Sequence, residues 1–117
     1  MASCIKLTLN PLYFSLIARG VKKVEGRTFK ASLHGLKTGH LIYFHNKEQL
    51  QPPIRAQVTS LKKYASFHEM LNIEGLQNVL PGVEHIEEGV KIYHSFPHYQ
   101  EEEKSLGVLA IHFKLEP

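Results

Sequence analysis

Apolar residues recur along this chain with a period of two in some segments and with helical spacing in others. Cys4 to Leu9 alternates apolar and polar side chains, which predicts a half-buried strand. Asn10-Pro11 then supplies a helix N-cap followed by proline at the first helical position, and Gly20 closes that helix. The two kinds of segment follow one another irregularly and without an internal repeat. This order favours an α+β fold over a doubly wound parallel sheet.

The rest of the chain shows the same mixture of periods. Lys23 to Phe29 alternates, and it places Val24 on one side of a strand and Glu25 and Arg27 on the other. Further strands are predicted over residues 41–44, 54–64 and 107–115, and further helices from Ser66 and from about residue 84. Phe96 to Tyr99, which three Glu residues follow, is expected to form a surface loop.

The length of 117 residues suits one domain, so we expect a single domain over residues 1–117. No segment reaches the roughly 20 apolar residues of a membrane span, and the N-terminus lacks the apolar stretch of a signal peptide. The single Cys4 fits a reducing compartment. We therefore expect a monomer in the cytoplasm or nucleus that does not engage a membrane.

The net charge is only +3, but the charges are unevenly distributed. Residues 19–37 contain six basic side chains and one acid, whereas residues 66–103 contain eight Glu and one Lys. One part of the surface should therefore be basic and another acidic. The chain contains no Asp, which argues against EF-hand calcium sites and kinase-type magnesium sites.

Gly20-Val21-Lys22-Lys23-Val24-Glu25-Gly26-Arg27 matches the G-x-K-x-x-E-x-R signature of the ASCH domain family, which is related to PUA barrels. The Lys37-Thr38-Gly39 turn, residues 64–71, residues 89–93 and the closing strand also resemble this family. The resemblance implies a small β-barrel of about five or six strands with flanking helices. It also implies a surface cleft lined by the motif, and a function linked mainly to RNA.

The leading interpretation of the motif is binding of RNA or of a nucleotide-like ligand. Arg holds phosphate bidentately and Lys acts as a point charge. Glu25 would position these cations or accept a hydrogen bond from a base, and Tyr64 or Tyr13 could stack on a base. The predicted binding residues are Lys22, Lys23, Glu25, Arg27, Lys30, Tyr64 and Ser66.

The alternative is a small hydrolase that acts on RNA or on a modified nucleoside. Lys22 and Glu25 would be its general acid and base, together with Tyr64 and Ser66. Bacterial acetylcytidine amidohydrolases resemble ASCH domains and use a Lys at the position of Lys22. Their nucleophilic Thr is replaced here by Glu25, so their activity does not carry over directly.

The same residues also have purely structural interpretations. Glu25 and Arg27 could form a structural ion pair with Lys22 solvated, Tyr64 could pack in the core, and Ser66 is explained as an N-cap. Among eight histidines the closest pair flanks a proline and lacks a third ligand, so no metal and no cofactor are predicted. The acidic helices are a third candidate surface, for protein partners.

Overall fold

The computed structural model describes residues 3–117 as a curled five-stranded sheet with helices packed against it. The strands are β1 (Cys4–Leu9), β2 (Val24–Thr28), β3 (Leu41–Asn46), β4 (Ile54–Tyr64) and β5 (Val108–Leu115). The helices are α1 (Pro11–Ala18), α2 (Phe67–Glu74), α3 (Leu76–Val79), α4 (Ile86–His94) and α5 (Tyr99–Leu106), with a short 3-10 helix at Ala31–Leu33. The predicted α+β class is confirmed. The predicted domain begins at residue 1, and residues 1 and 2 lie outside the described residues.

The sheet has the strand order β1-β3-β4-β5-β2. β1 pairs with β3 in parallel, and the other three pairs are antiparallel. Within residues 3–117, β1 and β2 are therefore the edge strands of the sheet. The sheet curls until these edges approach each other, and Arg27 Nη2 on β2 donates to the Thr8 carbonyl on β1 at 3.0 Å. The result is a half-barrel that is open between β1 and β2.

Apolar side chains cover both faces of the sheet. One cluster lies on one face of the sheet and includes Ile42, Val58 and Ile111. A second cluster lies between the sheet and the helices and includes Phe67 and Met70. Because β5 is covered on both faces, its residues 108–111 are all buried despite their alternation. No helix within residues 3–117 has the length and apolar character needed to cross a membrane.

The first helix begins and ends as its sequence signals predict. The Asn10 side chain accepts a hydrogen bond from the Tyr13 backbone at 2.9 Å, and Pro11 occupies the first turn. Gly20 follows the helix with a φ of 74°, a left-handed conformation that glycine adopts without strain. At α2, Ser66 likewise caps the helix by accepting from the Glu69 backbone.

The predicted surface loop over Phe96 to Tyr99 is present only over residues 96–98, a turn in which Pro97 and His98 are exposed. Tyr99 is buried and begins α5, whose acidic residues are anchored to neighbouring elements. Glu102 accepts from the Thr28 hydroxyl at 2.9 Å, and Glu103 accepts from the backbone of Phe67 at 2.7 Å. The inward face of α5 therefore includes carboxylates with fixed partners, and a search for apolar periodicity does not find such a helix.

The packing of helices on β2 depends on the missing side chain of Gly26. A Cβ at this position would lie 2.6 Å from the Tyr93 hydroxyl oxygen and 2.7 Å from Met70 Cε. We expect Gly26→Ala to lower the free energy of unfolding by about 1–3 kcal/mol, because the Tyr93 ring would have to move. Gly35→Ala is the matched control, since nothing lies within 4 Å of its Cβ position. Equal urea midpoints for the two variants would contradict this account.

Candidate functional site

A cleft of about 440 Å³ opens between the two edge strands of the half-barrel. Its walls come from the end of β1, from α1, from the Gly20 to Arg27 motif and from the turn that joins α4 to α5. The lining residues are Thr8, Leu9, Asn10, Tyr13, Lys22, Glu25, Gly26, Arg27, Lys30, Lys47, Leu80, Tyr93, Phe96, Pro97, His98 and Tyr99.

Lys22 enters the cleft wall through the turn that Gly20 makes after α1. The backbone amides of Val21 and Lys22 both donate to the carbonyl of Leu16, which fixes the direction of the chain. The Lys22 side chain is only 2% exposed. Its Nζ donates to the Val24 carbonyl at 2.8 Å and to the Val79 carbonyl, and it lies 3.3 Å from Glu25 Oε1. All three ammonium protons thus have an acceptor.

The acceptor at Val79 explains why a lysine is needed at this position. Val79 is the last residue of α3, and the carbonyls of a helix end have no partner within the helix. Lys22 supplies a cation to this negative end, and the Lys23 backbone donates to the neighbouring Asn78 carbonyl at 2.9 Å. The motif therefore holds α3 against β2.

Glu25 lies between two cations at the base of the cleft. Its Oε1 faces Lys22, and its Oε2 accepts from Arg27 Nε at 2.7 Å. Arg27 keeps 21% of its side chain exposed, and its Nη2 is fixed by the Thr8 carbonyl. Two cations share one carboxylate, so one positive charge remains without an acidic partner in this group. We call Lys22, Glu25 and Arg27 the motif cluster.

The proximity of these charges shifts their pKa values. Burial alone would raise the pKa of Glu25, but Lys22 and Arg27 together hold it below its ordinary value of 4.5. Burial lowers the pKa of Lys22, and the attraction of Glu25 opposes part of that effect. The pKa of Arg27 is raised, because Glu25 outweighs burial. At neutral pH Glu25 is therefore an ion held by two hydrogen-bonding cations.

This geometry combines two of the sequence interpretations. The predicted ion pair between Glu25 and Arg27 is present, but the expectation that Lys22 is solvated is wrong. Lys22 is buried because the carbonyls of Val24 and Val79 replace water as its acceptors. The lowered pKa of Glu25 keeps its carboxylate ionised at neutral pH, so it is a fixed acceptor between Lys22 and Arg27. The arrangement is suited to presenting Arg27 to a ligand.

Aromatic side chains form a further wall of the cleft, next to Gly26 of the motif strand. The Phe67 ring stacks on Tyr93 with centroids 4.1 Å apart and lies parallel to Tyr99 at 5.8 Å. Phe96 meets Tyr93 and Tyr99 edge-on. The sequence interpretation missed this wall, although aromatic residues recur there every third position, at 93, 96 and 99. His98, within the same turn, has a φ of 67°, which is uncommon for a residue other than glycine.

The other predicted site residues divide into two groups. Lys30 lines the cleft, with its Nζ 5.3 Å from the centre of the Tyr99 ring and 3.8 Å from Glu102 Oε1. Lys23 is exposed beside the motif but does not line the cleft. Tyr64 and Ser66 do not line it either. Ser66 caps α2, and Tyr64 donates to Glu74, so that burial and this bond raise the pKa of Tyr64 to about 12.

Two histidines make short contacts with carboxylates. His94 Nε2 lies 2.8 Å from Glu103 Oε1, and His112 Nε2 lies 2.7 Å from Glu74 Oε1. Within residues 3–117, no three side chains of His, Cys, Asp or Glu converge as a metal site would require.

A curled five-stranded half-barrel with flanking helices is consistent with a PUA-like fold. Residues 7–117 match the ASCH domain family, and the chain belongs to that family. The crystal structure of a hypothetical protein, PH0355, is similar with a TM-score of 0.86 and 39% identity, over 97% of this chain and 99% of that chain. No protein of curated function matches the chain.

Two further solved structures share this fold. The solution NMR structure of PF0455 from Pyrococcus furiosus has a TM-score of 0.77 and 37% identity, over 96% of each chain. A mutant of ZmASCH from Zymomonas mobilis has a TM-score of 0.60 over 98% of this chain and 68% of that chain. Its 13% identity makes this last likeness one of fold alone.

Removal of the Lys22 charge should destabilise the protein strongly. Lys22→Met leaves Glu25 with one partner and leaves the Val79 carbonyl without its donor, so we expect a loss of about 3–5 kcal/mol in unfolding free energy. Lys23→Met removes the same charge from an exposed neighbour, and we expect a change within about 0.5 kcal/mol. Urea denaturation of both variants tests this. Similar losses of unfolding free energy in the two variants would show that the burial of Lys22 does not contribute to stability.

The lowered pKa of Glu25 predicts a pH dependence of stability. A carboxyl whose folded pKa is depressed stabilises the fold above its unfolded pKa, here 4.5, and loses that contribution as the pH falls through the folded pKa. We therefore expect the stability difference between wild type and Glu25→Gln to be largest at neutral pH and to shrink below pH 4.5. Glu84→Gln, at an exposed position, is the control. A stability difference between wild type and Glu25→Gln that stays constant in acid would contradict the lowered pKa of Glu25.

Proposed function

We propose that this protein binds RNA or a nucleotide-like ligand in the cleft, with a ligand phosphate on Arg27. The observation that carries the proposal is the charge of the motif cluster. Lys22 and Arg27 contribute two positive charges and Glu25 one negative charge, and all three groups are largely buried. The cluster therefore has a net charge of +1, and a ligand phosphate in the cleft would supply the negative charge that balances it.

The orientation of Arg27 suits this role. Its Nε is held by Glu25 and its Nη2 by the Thr8 carbonyl, and within residues 3–117 its Nη1 donates to no other group. A guanidinium held on two sides loses little conformational entropy when it binds an anion. Nη1 and the partly exposed edge of the group would then donate to the phosphate.

Two lysines at the rim extend the positive surface. Lys30 and Lys47 both line the cleft, and the Lys30 side chain is 45% exposed. Exposed lysines are suited to contacts with further phosphates, because they act as point charges that displace counterions. The proposal therefore includes Lys30 from the sequence prediction and adds Lys47. Lys23 is exposed nearby and would contact only a ligand that extends beyond the cleft.

The aromatic wall and the size of the cleft suit a nucleoside. Phe96, Tyr99 and Tyr13 line the cleft, and aromatic side chains bind bases by stacking. The volume of about 440 Å³ falls in the range of small-molecule pockets, so one nucleotide unit would occupy it. In this arrangement Tyr13 takes the stacking role that the sequence analysis offered to Tyr64 or Tyr13.

Exchange of Arg27 for lysine tests the proposal while preserving the net charge. Arg27→Lys keeps the charge but loses the planar guanidinium group, whose several N–H donors can contact Glu25, Thr8 and the ligand at the same time. We expect it to weaken binding of short single-stranded RNA by about 1–3 kcal/mol, measured by fluorescence anisotropy at low salt. Arg55→Lys, at an exposed position away from the cleft, is the matched control. Unchanged affinity in Arg27→Lys would place the ligand elsewhere.

The same samples separate the other candidate functions. We expect the affinity of the wild type to fall steeply with added salt, as displacement of counterions from nucleic acid requires. RNA that is shortened on a denaturing gel would instead favour the hydrolase. The absence of RNA binding would redirect attention to modified nucleosides or to protein partners of the acidic helices.

A further inference from the structure

Tyr93 is the most deeply buried polar residue on the aromatic side of the cleft. It is 3% exposed, its ring stacks on Phe67 at 4.1 Å, and Phe96 packs edge-on against it. Its hydroxyl oxygen reaches β2, where it lies 2.6 Å from the position that a Cβ of Gly26 would occupy. Tyr93 and Gly26 both line the cleft. The ring is thus fixed by packing, and its hydroxyl lies at the floor of the cleft.

The Tyr93 hydroxyl has no hydrogen-bond partner within residues 3–117. It is also not sealed inside the protein, because every fully buried polar side-chain atom in that range does have a partner. The hydroxyl therefore faces the cleft. A phenylalanine could make the same ring contacts, so the packing does not account for the oxygen. An unpartnered hydroxyl on a rigid ring is a group that a ligand can engage at little entropic cost.

The surroundings keep this hydroxyl protonated. Burial raises the pKa of Tyr93 well above its ordinary value of 10.0, and the carboxylate of Glu25 contributes in the same direction. The floor of the cleft therefore presents a neutral O–H group in the same cleft as Arg27. A ligand that fits both groups carries an anionic group joined to a polar, uncharged ring system.

We infer that the Tyr93 hydroxyl selects among nucleotides by donating a hydrogen bond to an acceptor atom on the edge of the base. The inference rests on the proposed function, since Arg27 would hold the phosphate of the same nucleotide. Nucleobases differ in which edge atoms accept hydrogen bonds, so one fixed donor favours some bases over others. Tyr93 thereby determines base preference, whereas Arg27 and Lys30 supply affinity without regard to the base.

Binding of the four nucleoside 5′-monophosphates, of adenosine, cytidine, guanosine and uridine, tests the inference by isothermal titration calorimetry. Tyr93→Phe removes one oxygen and leaves the ring stack in place. We expect it to weaken the tightest-bound nucleotide by roughly 3- to 10-fold and to bring the four affinities closer together. Tyr43→Phe is the matched control, because Tyr43 lies on β3 and does not line the cleft.

The urea midpoint of Tyr93→Phe should equal that of the wild type, because the hydroxyl has no partner within the described chain to lose. Wild-type binding that Tyr93→Phe leaves unchanged would overturn the inference but not the proposed function. An equal loss in Tyr43→Phe would also overturn it. A wild type that binds none of the four nucleotides and no short RNA would overturn both.

Discussion

The structure depends on the burial of one lysine, Lys22, at the junction of three elements. Its ammonium group satisfies the C-terminal carbonyl of α3, a carbonyl of β2 and the carboxylate of Glu25. Glu25 in turn holds Arg27, and Arg27 reaches across to β1. A chain of charged hydrogen bonds thus runs from the helical layer to both edges of the sheet. Because each buried charge needs its neighbour, loss of any one partner would leave an uncompensated charge in the poorly solvating interior.

The same chain of contacts accounts for the open edge of the barrel. Pairing of β1 and β2 along their whole length would close the sheet and remove the opening in which the cleft lies. Here β1 and β2 are joined by a side chain, so the backbone groups at this edge stay apart and a cleft remains. The charges that join the edges also define the chemistry of the cleft. Structural and functional explanations of the motif therefore describe one arrangement, in which Glu25 orients the arginine that we propose contacts the ligand.

The sequence predicted the elements whose signals are local. Asn10-Pro11 and Ser66 begin helices as predicted, and the alternating segments are strands, because capping and pleating act over a few residues. The sequence did not predict the helix α5. Its inward face carries carboxylates, whereas a search for helical periodicity looks for apolar residues at those positions. The sequence also offered Tyr64 and Ser66 as site residues, yet both belong to the contacts that begin and anchor α2, away from the cleft. The sequence does not predict the aromatic wall, because the surface loop expected over Phe96 to Tyr99 extends only to residue 98 and Tyr99 is buried against Phe67.

What the sequence determined by itself is the set of strands, the first helix and the grouping of Lys22, Glu25 and Arg27, since all of these depend on neighbours within a few residues. The family resemblance, which rests on those same residues, added the barrel and the cleft. Only the tertiary structure decided that Lys22 is buried, that Arg27 bridges two edge strands and that Tyr93 lies beside them. These outcomes depend on Val79, Thr8 and Phe67, which lie far along the chain from the residues they fix. Desolvation and the distances between charges are properties of the packed state, and no local pattern of residues contains them.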